Sequence, residues 1–411
     1  MVICISFWVG LNGAIDTWVS QAFGEKEYYL CGCYLNRGRI IQAVLFIPQA
    51  LLFFLTKPLL LYLEQEEASA DVAQTYIITM LPGLFALTQF ETVRRYLQGM
   101  GIFACTMYIQ FATIIIHIVL WYLLIYRADL GVVGASISAW ITYFLNLIVV
   151  TLYVTFRNGI VPKESWHFFN FDSFRSLSEF AKYGLTSSLI ICLEWWCFYI
   201  LSMLAGSMGV EQLAAYVILL NISFLLFQIP QGIGFVLSDL VGNSLGEKNL
   251  IKTKRYLISS YIVNFITVIV LIIILLIFKR KISKFFTEEV EVDEFIIHCI
   301  PAFCAWMFFD FTQGVIWGAL RGVGYQTYGA VVSFVAFWGI TIPLADLIAF
   351  VYDFKLAGLW AAVAIGSSFS AFAYSWIIWT ANWSKLTIKI ARRIENDKNG
   401  LSSHLLELKQ E

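Results

Sequence analysis

Charge is scarce in this chain. Only 13% of its 411 residues are charged and 60% are apolar, whereas an average soluble domain carries about 25% charged residues. So little charge cannot coat a water-soluble surface, and a net charge of −1 offers no basic footprint for nucleic acid. No G-x-x-x-x-G-K-[ST] run occurs, which removes a P-loop ATPase from consideration. The eight cysteines are scattered, none at metal-site spacing, and Cys31-Gly32-Cys33 is too tight for C-x-x-C. They read as small packing residues. No Ser/His/Asp arrangement suggests an enzyme, and no cofactor or metal is expected. The first apolar run lacks the basic start of a signal peptide. Prolines number only seven. Pro82, Pro230, Pro301 and Pro343 fall inside apolar runs, where each frees a backbone carbonyl and permits a helix to bend.

What the chain does have is length of apolar run. Segments of about 20 residues, enough to cross a bilayer, fall at 2–23, 38–62, 73–93, 102–126, 131–156, 181–205, 212–242, 256–278, 295–319, 325–351 and 357–381. The expectation is an all-α membrane protein with about eleven spans. Residues 1–156 form a first lobe, 157–180 a linker, 181–381 a second lobe and 382–411 a tail. Alternating the loops puts 20 of the 27 Lys and Arg on one side, together with the linker and the tail. The positive-inside rule makes that side, and the C-terminus, cytoplasmic. The acidic runs Glu64-Gln65-Glu66-Glu67 and Glu288-Glu289 then lie outside.

The two halves say nearly the same thing. Gly10 through Lys26 matches Gly232 through Lys248, so Gln21 pairs with Asn243 and Gly24-Glu25-Lys26 with Gly246-Glu247-Lys248. Tyr96-Leu97-Gln98-Gly99-Met100-Gly101 matches Ala319-Leu320-Arg321-Gly322-Val323-Gly324, and Gly131-Val132-Val133-Gly134 is set against Gly358-Leu359-Trp360-Ala361. The offset drifts from 222 to 227. Two similar apolar halves in one order are the mark of a two-lobe transporter. Five spans in the first half against six in the second imply a plan of twelve, with the first span absent here.

Four stretches carry a family resemblance: Ala14-Ile-Asp-Thr-Trp-Val-Ser-Gln-Ala-Phe-Gly24, Cys192-Leu-Glu-Trp-Trp196, Val241-Gly-Asn-Ser-Leu-Gly246 and Gln313-Gly-Val-Ile-Trp-Gly-Ala-Leu-Arg-Gly322. They resemble the eukaryotic branch of the multidrug and toxic compound extrusion (MATE) family, at the ends of its second and eighth spans and within its seventh and tenth. The resemblance covers essentially the whole chain. It implies two six-helix bundles and export of organic cations or xenobiotics in exchange for protons, with sodium open as the coupling ion. The expected form is a monomer in a plasma or vacuolar-type membrane.

Charges inside a bilayer are costly, about 2.5–3.5 kcal/mol each on insertion scales, so each is a functional candidate. Glu194 lies midway between Lys182 and Glu211, near the midplane, and Asp310 lies centrally between Glu294 and Arg321. A carboxyl away from water holds a proton more readily than one in water, and when ionised it holds a cation. That competition is the minimum an antiporter needs. Two such acids on one cavity titrate as a pair. Trp195 and Tyr199 offer ring faces to a cation. Asn221 and Gln228, seven apart, share a helix face. Animal relatives often carry a second acid where this chain has Tyr199, so its site is less acidic. Asp16, Gln21, Asp239 and Asn243 are expected to tie down the repeated loops as gating or structural residues, and Pro301 and Pro343 to permit bending. Two other readings stand beside the exporter. A lipid-linked oligosaccharide flippase of similar architecture wants a basic cavity, and the mid-span charges here are acidic. A non-transporting truncated paralogue is suggested by the absent span.

Overall fold

The structure, a computed structural model, describes residues 2–64, 66–157, 159–168 and 170–407. Met1, Gln65 of the acidic loop, Asn158 and Phe169 of the linker and 408–411 of the tail lie outside the described residues. Every regular element among the described residues is helical. The order is α1 (Val2–Leu11), α2 (Gly13–Gly24), α3 (Tyr28–Phe54), α4 (Thr56–Tyr62), α5 (Glu67–Gly99), α6 (Ala104–Tyr122), α7 (Gly131–Phe156), α8 (Leu177–Met208), α9 (Val210–Gly246), α10 (Leu250–Phe286) and α11 (Val290–Val323). Then come α12 (Gln326–Ser333), α13 (Ile342–Asp346), α14 (Lys355–Thr380) and α15 (Trp383–Glu407). Wider π-helical turns continue α6 over Leu123–Arg127 and flank α13 at Phe334–Thr341 and Leu347–Val351.

Ten helical segments among the described residues are long and apolar enough to cross a bilayer, and the protein is a multi-pass membrane protein. The expected first span, 2–23, is not one helix. It breaks at Asn12, between Leu11 and Gly13. At this step the Trp8 carbonyl accepts from the side chains of Asn12, at 3.3 Å, and Gln42 of α3, at 3.2 Å, bonds that compete with the helix ladder. The expected span 38–62 likewise divides, into α3 and the short α4.

The chain forms two compact units, one of 1–184 with 393–411 and one of 185–392. In the first, α5 packs against α7 and α3. Trp8, Phe46, Phe53, Met80 and Leu84 make its core. The linker lies on the end of α5 and the start of α3: the Tyr96 hydroxyl of α5 donates to the Ser165 carbonyl at 2.7 Å, and Tyr29 of α3 donates to the Asp172 carboxylate at 3.1 Å. In the second unit α11 is central, packed against α9, α10 and α14. Phe198, Phe303, Trp306 and Trp360 interlock in its core.

The repeats in the sequence are repeats in the backbone. Lys26 and Lys248 both take a left-handed conformation, at φ 65° and 59°, closing the same turn after α2 and α9. Gly101 and Gly324 cap α5 and α11, at φ 81° and 89°. The amides of Ile102 and Tyr325 reach back to the carbonyls of Leu97 and Leu320, as a left-handed helix end requires. The third pairing corrects the sequence alignment. Asp129 matches Asp353 and Gly131 matches Lys355, each left-handed. The equivalent bonds Leu130 N to Leu124 O and Phe354 N to Ile348 O fix the offset at 224 rather than 227. Gly131 therefore pairs with Lys355, and Gly134 with Gly358. Both glycines abut a π-helical turn: a Cβ on Gly134 falls 2.8 Å from the Leu124 carbonyl oxygen, and one on Gly358 falls 2.9 Å from Ala349 backbone atoms.

Candidate functional site

Glu194 on α8 and Asp310 on α11 meet through a third residue. The Gln313 amide donates to Glu194 Oε1 at 3.1 Å and to Asp310 Oδ1 at 3.3 Å. The Ser367 hydroxyl, from α14, donates to the same Asp310 oxygen at 2.8 Å. Asp310 is 1% exposed and Gln313 2%. Glu194 is partly exposed, so it is the less enclosed member of the pair. Gln313 lies one turn after Asp310, which puts both on one face of α11.

Helix packing fixes this geometry. Gly314, Gly318 and Gly322 form a bare ridge on α11 against α9. A Cβ on Gly318 falls 2.0 Å from the Gly234 carbonyl oxygen, and one on Gly322 falls 2.4 Å from that of Ser238. The signature Gln313 to Gly322 is therefore a close-packing surface as well as part of the acid site. On α8, the carbonyl of Leu193 accepts from the Trp338 indole at 3.0 Å. The Cys197 thiol contacts the Phe337 carbonyl at 3.6 Å. Both partners belong to the π-helical stretch before Pro343, so the turn that carries Glu194 is pinned to it. Pro343 cannot donate to the ladder. The wider turns lie on either side of it.

The other expected site residues have these surroundings. Trp195 packs on Phe224 of α9, ring centroids 6.1 Å apart. Tyr199 is 37% exposed. Asn221 and Gln228 are exposed and donate to carbonyls of their own helix, Val217 and Phe224. Asp16 is buried and paired with Arg95 of α5 at 3.6 Å. Gln21 accepts from Arg393 of α15 at 2.9 Å. Asp239 is buried and Asn243 partly so, its carbonyl accepting from the Glu247 amide at 2.9 Å. Pro301 is an exposed residue inside α11. Glu91 pairs with Arg94, one turn on. Sequence reasoning did not assign Gln313 or Ser367 to the site. The three-residue spacing from Asp310 points to Gln313. Nothing local points to Ser367, which arrives from another helix.

The repeat register shows that the site belongs to the second unit. At the positions of Asp310, Gln313 and Ser367 the first half carries Leu87, Phe90 and Tyr143.

Residues 1–123 and 187–347 both match the MatE family model. The chain belongs to the MatE family. Among relatives of this MatE chain, mouse multidrug and toxin extrusion protein 2 is 30% identical over 382 residues, 93% of this chain and 66% of that protein. Protein DETOXIFICATION 14 of Arabidopsis thaliana is 28% identical over 391 residues, 95% of this chain and 80% of that protein. The chain thus spans just under two thirds of the mouse protein's length. The crystal structure of the eukaryotic MATE transporter AtDTX14 superposes with a TM-score of 0.90 at 28% identity, covering 95% of this chain and 87% of that one. An outward-facing multidrug resistance MATE family transporter, 16% identical, shares the fold with a TM-score of 0.83.

Proposed function

We propose that this MatE-family chain exports small organic cations by exchange for protons, with Glu194 and Asp310 as the carboxyl pair that carries the proton or the cation. One observation carries the reading: two acids within reach of a single Gln313 amide, inside the apolar core of the second unit. Two carboxylates so close repel unless one holds a proton or a cation sits with them. Loading a cation then expels a proton, and the reverse. Asp310, sealed and held by Ser367, is the fixed member, and Glu194 meets the cargo. The names of the relatives, multidrug and toxin extrusion, support a cargo of xenobiotic type. The acidic pair speaks against a pyrophosphate-linked cargo, which calls for a basic site. The Lys and Arg bias supports a cytoplasmic C-terminus.

The test is movement of a fluorescent organic cation in proteoliposomes under an imposed pH gradient. Glu194→Gln and Asp310→Asn should each abolish gradient-driven movement while the proteins remain folded. Transport by Glu194→Gln at the parent rate would remove the acid from the site. Movement that follows an imposed sodium gradient and ignores pH would replace the proton by sodium.

A further inference from the structure

Beyond its last expected span the chain continues as a helix, α15. α15 begins in the second unit, and from Arg393 on its residues belong to the first. Its inward face is apolar, with Leu386, Ile390 and Ile394 buried at four-residue spacing. From that face three charged residues reach specific partners. The Arg393 guanidinium donates to Gln21 Oε1 at 2.9 Å and lies 4.4 Å over the Trp18 ring. One turn later the Asp397 carboxylate accepts from Tyr34 at 2.8 Å and from Ser176 at 3.2 Å, and pairs with Arg37 at 3.3 Å. Lys398 pairs with Glu27 at 2.5 Å. Arg37 is only 1% exposed, stacks 5.1 Å from the Tyr34 ring and donates its other nitrogen to the Asp172 carbonyl at 3.3 Å. Asp397 is therefore the counter-charge of a buried arginine, and a buried charge stripped of its partner is strongly destabilising.

We propose that Arg393, Asp397 and Lys398 form a brace of the first unit, an in-chain ligand that clamps the end of α2, the start of α3 and the linker into one body. The partners are what a clamp needs: Trp18 and Gln21 on α2, Glu27 in the turn, Tyr34 and Arg37 on α3, Ser176 at the linker's end. Gln21 lies in the first copy of the repeated segment. The brace thus marks that copy and breaks the symmetry of the two halves. Both ends of every brace bond lie in the first unit, so the loss of these bonds weakens that unit.

The experiment places a protease site between Ala381 and Asn382, in the connection before α15, and uses the purified full chain. After cleavage the severed segment should co-elute with the body. It should leave when Asp397→Asn and Arg393→Ala are combined. The melting temperature should then fall by about 5 °C or more. Dissociation of the severed segment from the parent protein, with an unchanged melting temperature, overturns the proposal. So does an uncut Asp397→Asn, Arg393→Ala protein that melts with the parent. None of these readouts needs transport, so failure of the brace and failure of the exporter reading are separable.

Discussion

Gln313 shows how one neutral residue can govern two acids. Its single amide group serves both Glu194 and Asp310. A leucine there keeps much of the volume but deletes both bonds, and hydrogen bonds to charged groups contribute about 1.5–3 kcal/mol each. Gln313→Leu is expected to displace the pH profile of transport and to lower the rate at least about tenfold. A parent-like pH profile at normal expression would show that the amide positions neither acid. A second residue-scale prediction concerns the first unit. Arg95 and Asp16 are 2% exposed each and paired. Removing one partner of such a pair costs about 3–5 kcal/mol, so Arg95→Met should lower the melting temperature sharply. Adding Asp16→Asn should restore part of the loss, and strict additivity would deny the coupling. The repeat explains why no equivalent pair is needed opposite: the second half has Ser238 and Gly318 at those positions, and the helix backbones touch directly.

At the scale of the element, small residues decide how close helices come. Gly234, Gly318 and Gly322 let α9 and α11 approach until carbonyl oxygens meet the ridge. Gly318→Ala puts a methyl 2.0 Å from the Gly234 carbonyl oxygen, a backbone atom that cannot swing aside. Overpacking of this kind costs about 1–3 kcal/mol. Gly232→Ala, on the same α9 helix but with nothing within 4 Å, is the control. It should be neutral or gain up to about 1 kcal/mol from helix propensity. Equal melting temperatures for the two variants would contradict the close crossing. The π-helical turns rest on the same device. Gly366 of α14 admits Thr341, whose hydroxyl oxygen would lie 1.9 Å from an added Cβ. Spans and glycine-rich signatures were legible in the sequence because apolar length and small-residue spacing are local signals. The break at Asn12 was not, since the partners of Asn12 and of the Trp8 carbonyl include Gln42 and Thr92, which lie on other helices.

At the scale of the whole molecule, two copies of one plan carry different chemistry. The backbone repeats at offsets of 222, 223 and 224 through Lys26 and Lys248, Gly101 and Gly324, and Asp129 and Asp353. The acid cluster sits in one copy, and the α15 brace contacts the other. The Lys and Arg bias makes a prediction at this scale. Cysteines introduced at Lys254 and Glu288, at opposite ends of the segment that includes α10, should label with an impermeant thiol reagent from opposite faces of the membrane, Lys254 from the cytoplasmic face. Labelling of both from one face would break the topology.

Composition alone made this a membrane protein, because a chain so poor in charge cannot satisfy water. Apolar run length placed nearly every span, and internal similarity revealed two related halves, because both signals are written along the chain. The mid-span acids Glu194 and Asp310 were also readable, since a charge in an apolar run is conspicuous. Only the tertiary structure joined them through Gln313 and Ser367, moved the third repeat from offset 227 to 224, and set Arg393 and Asp397 of the tail against partners in the first unit. Each of these depends on contacts between residues far apart in sequence, up to Gln21 and Arg393. No local pattern encodes which distant partner a side chain will find.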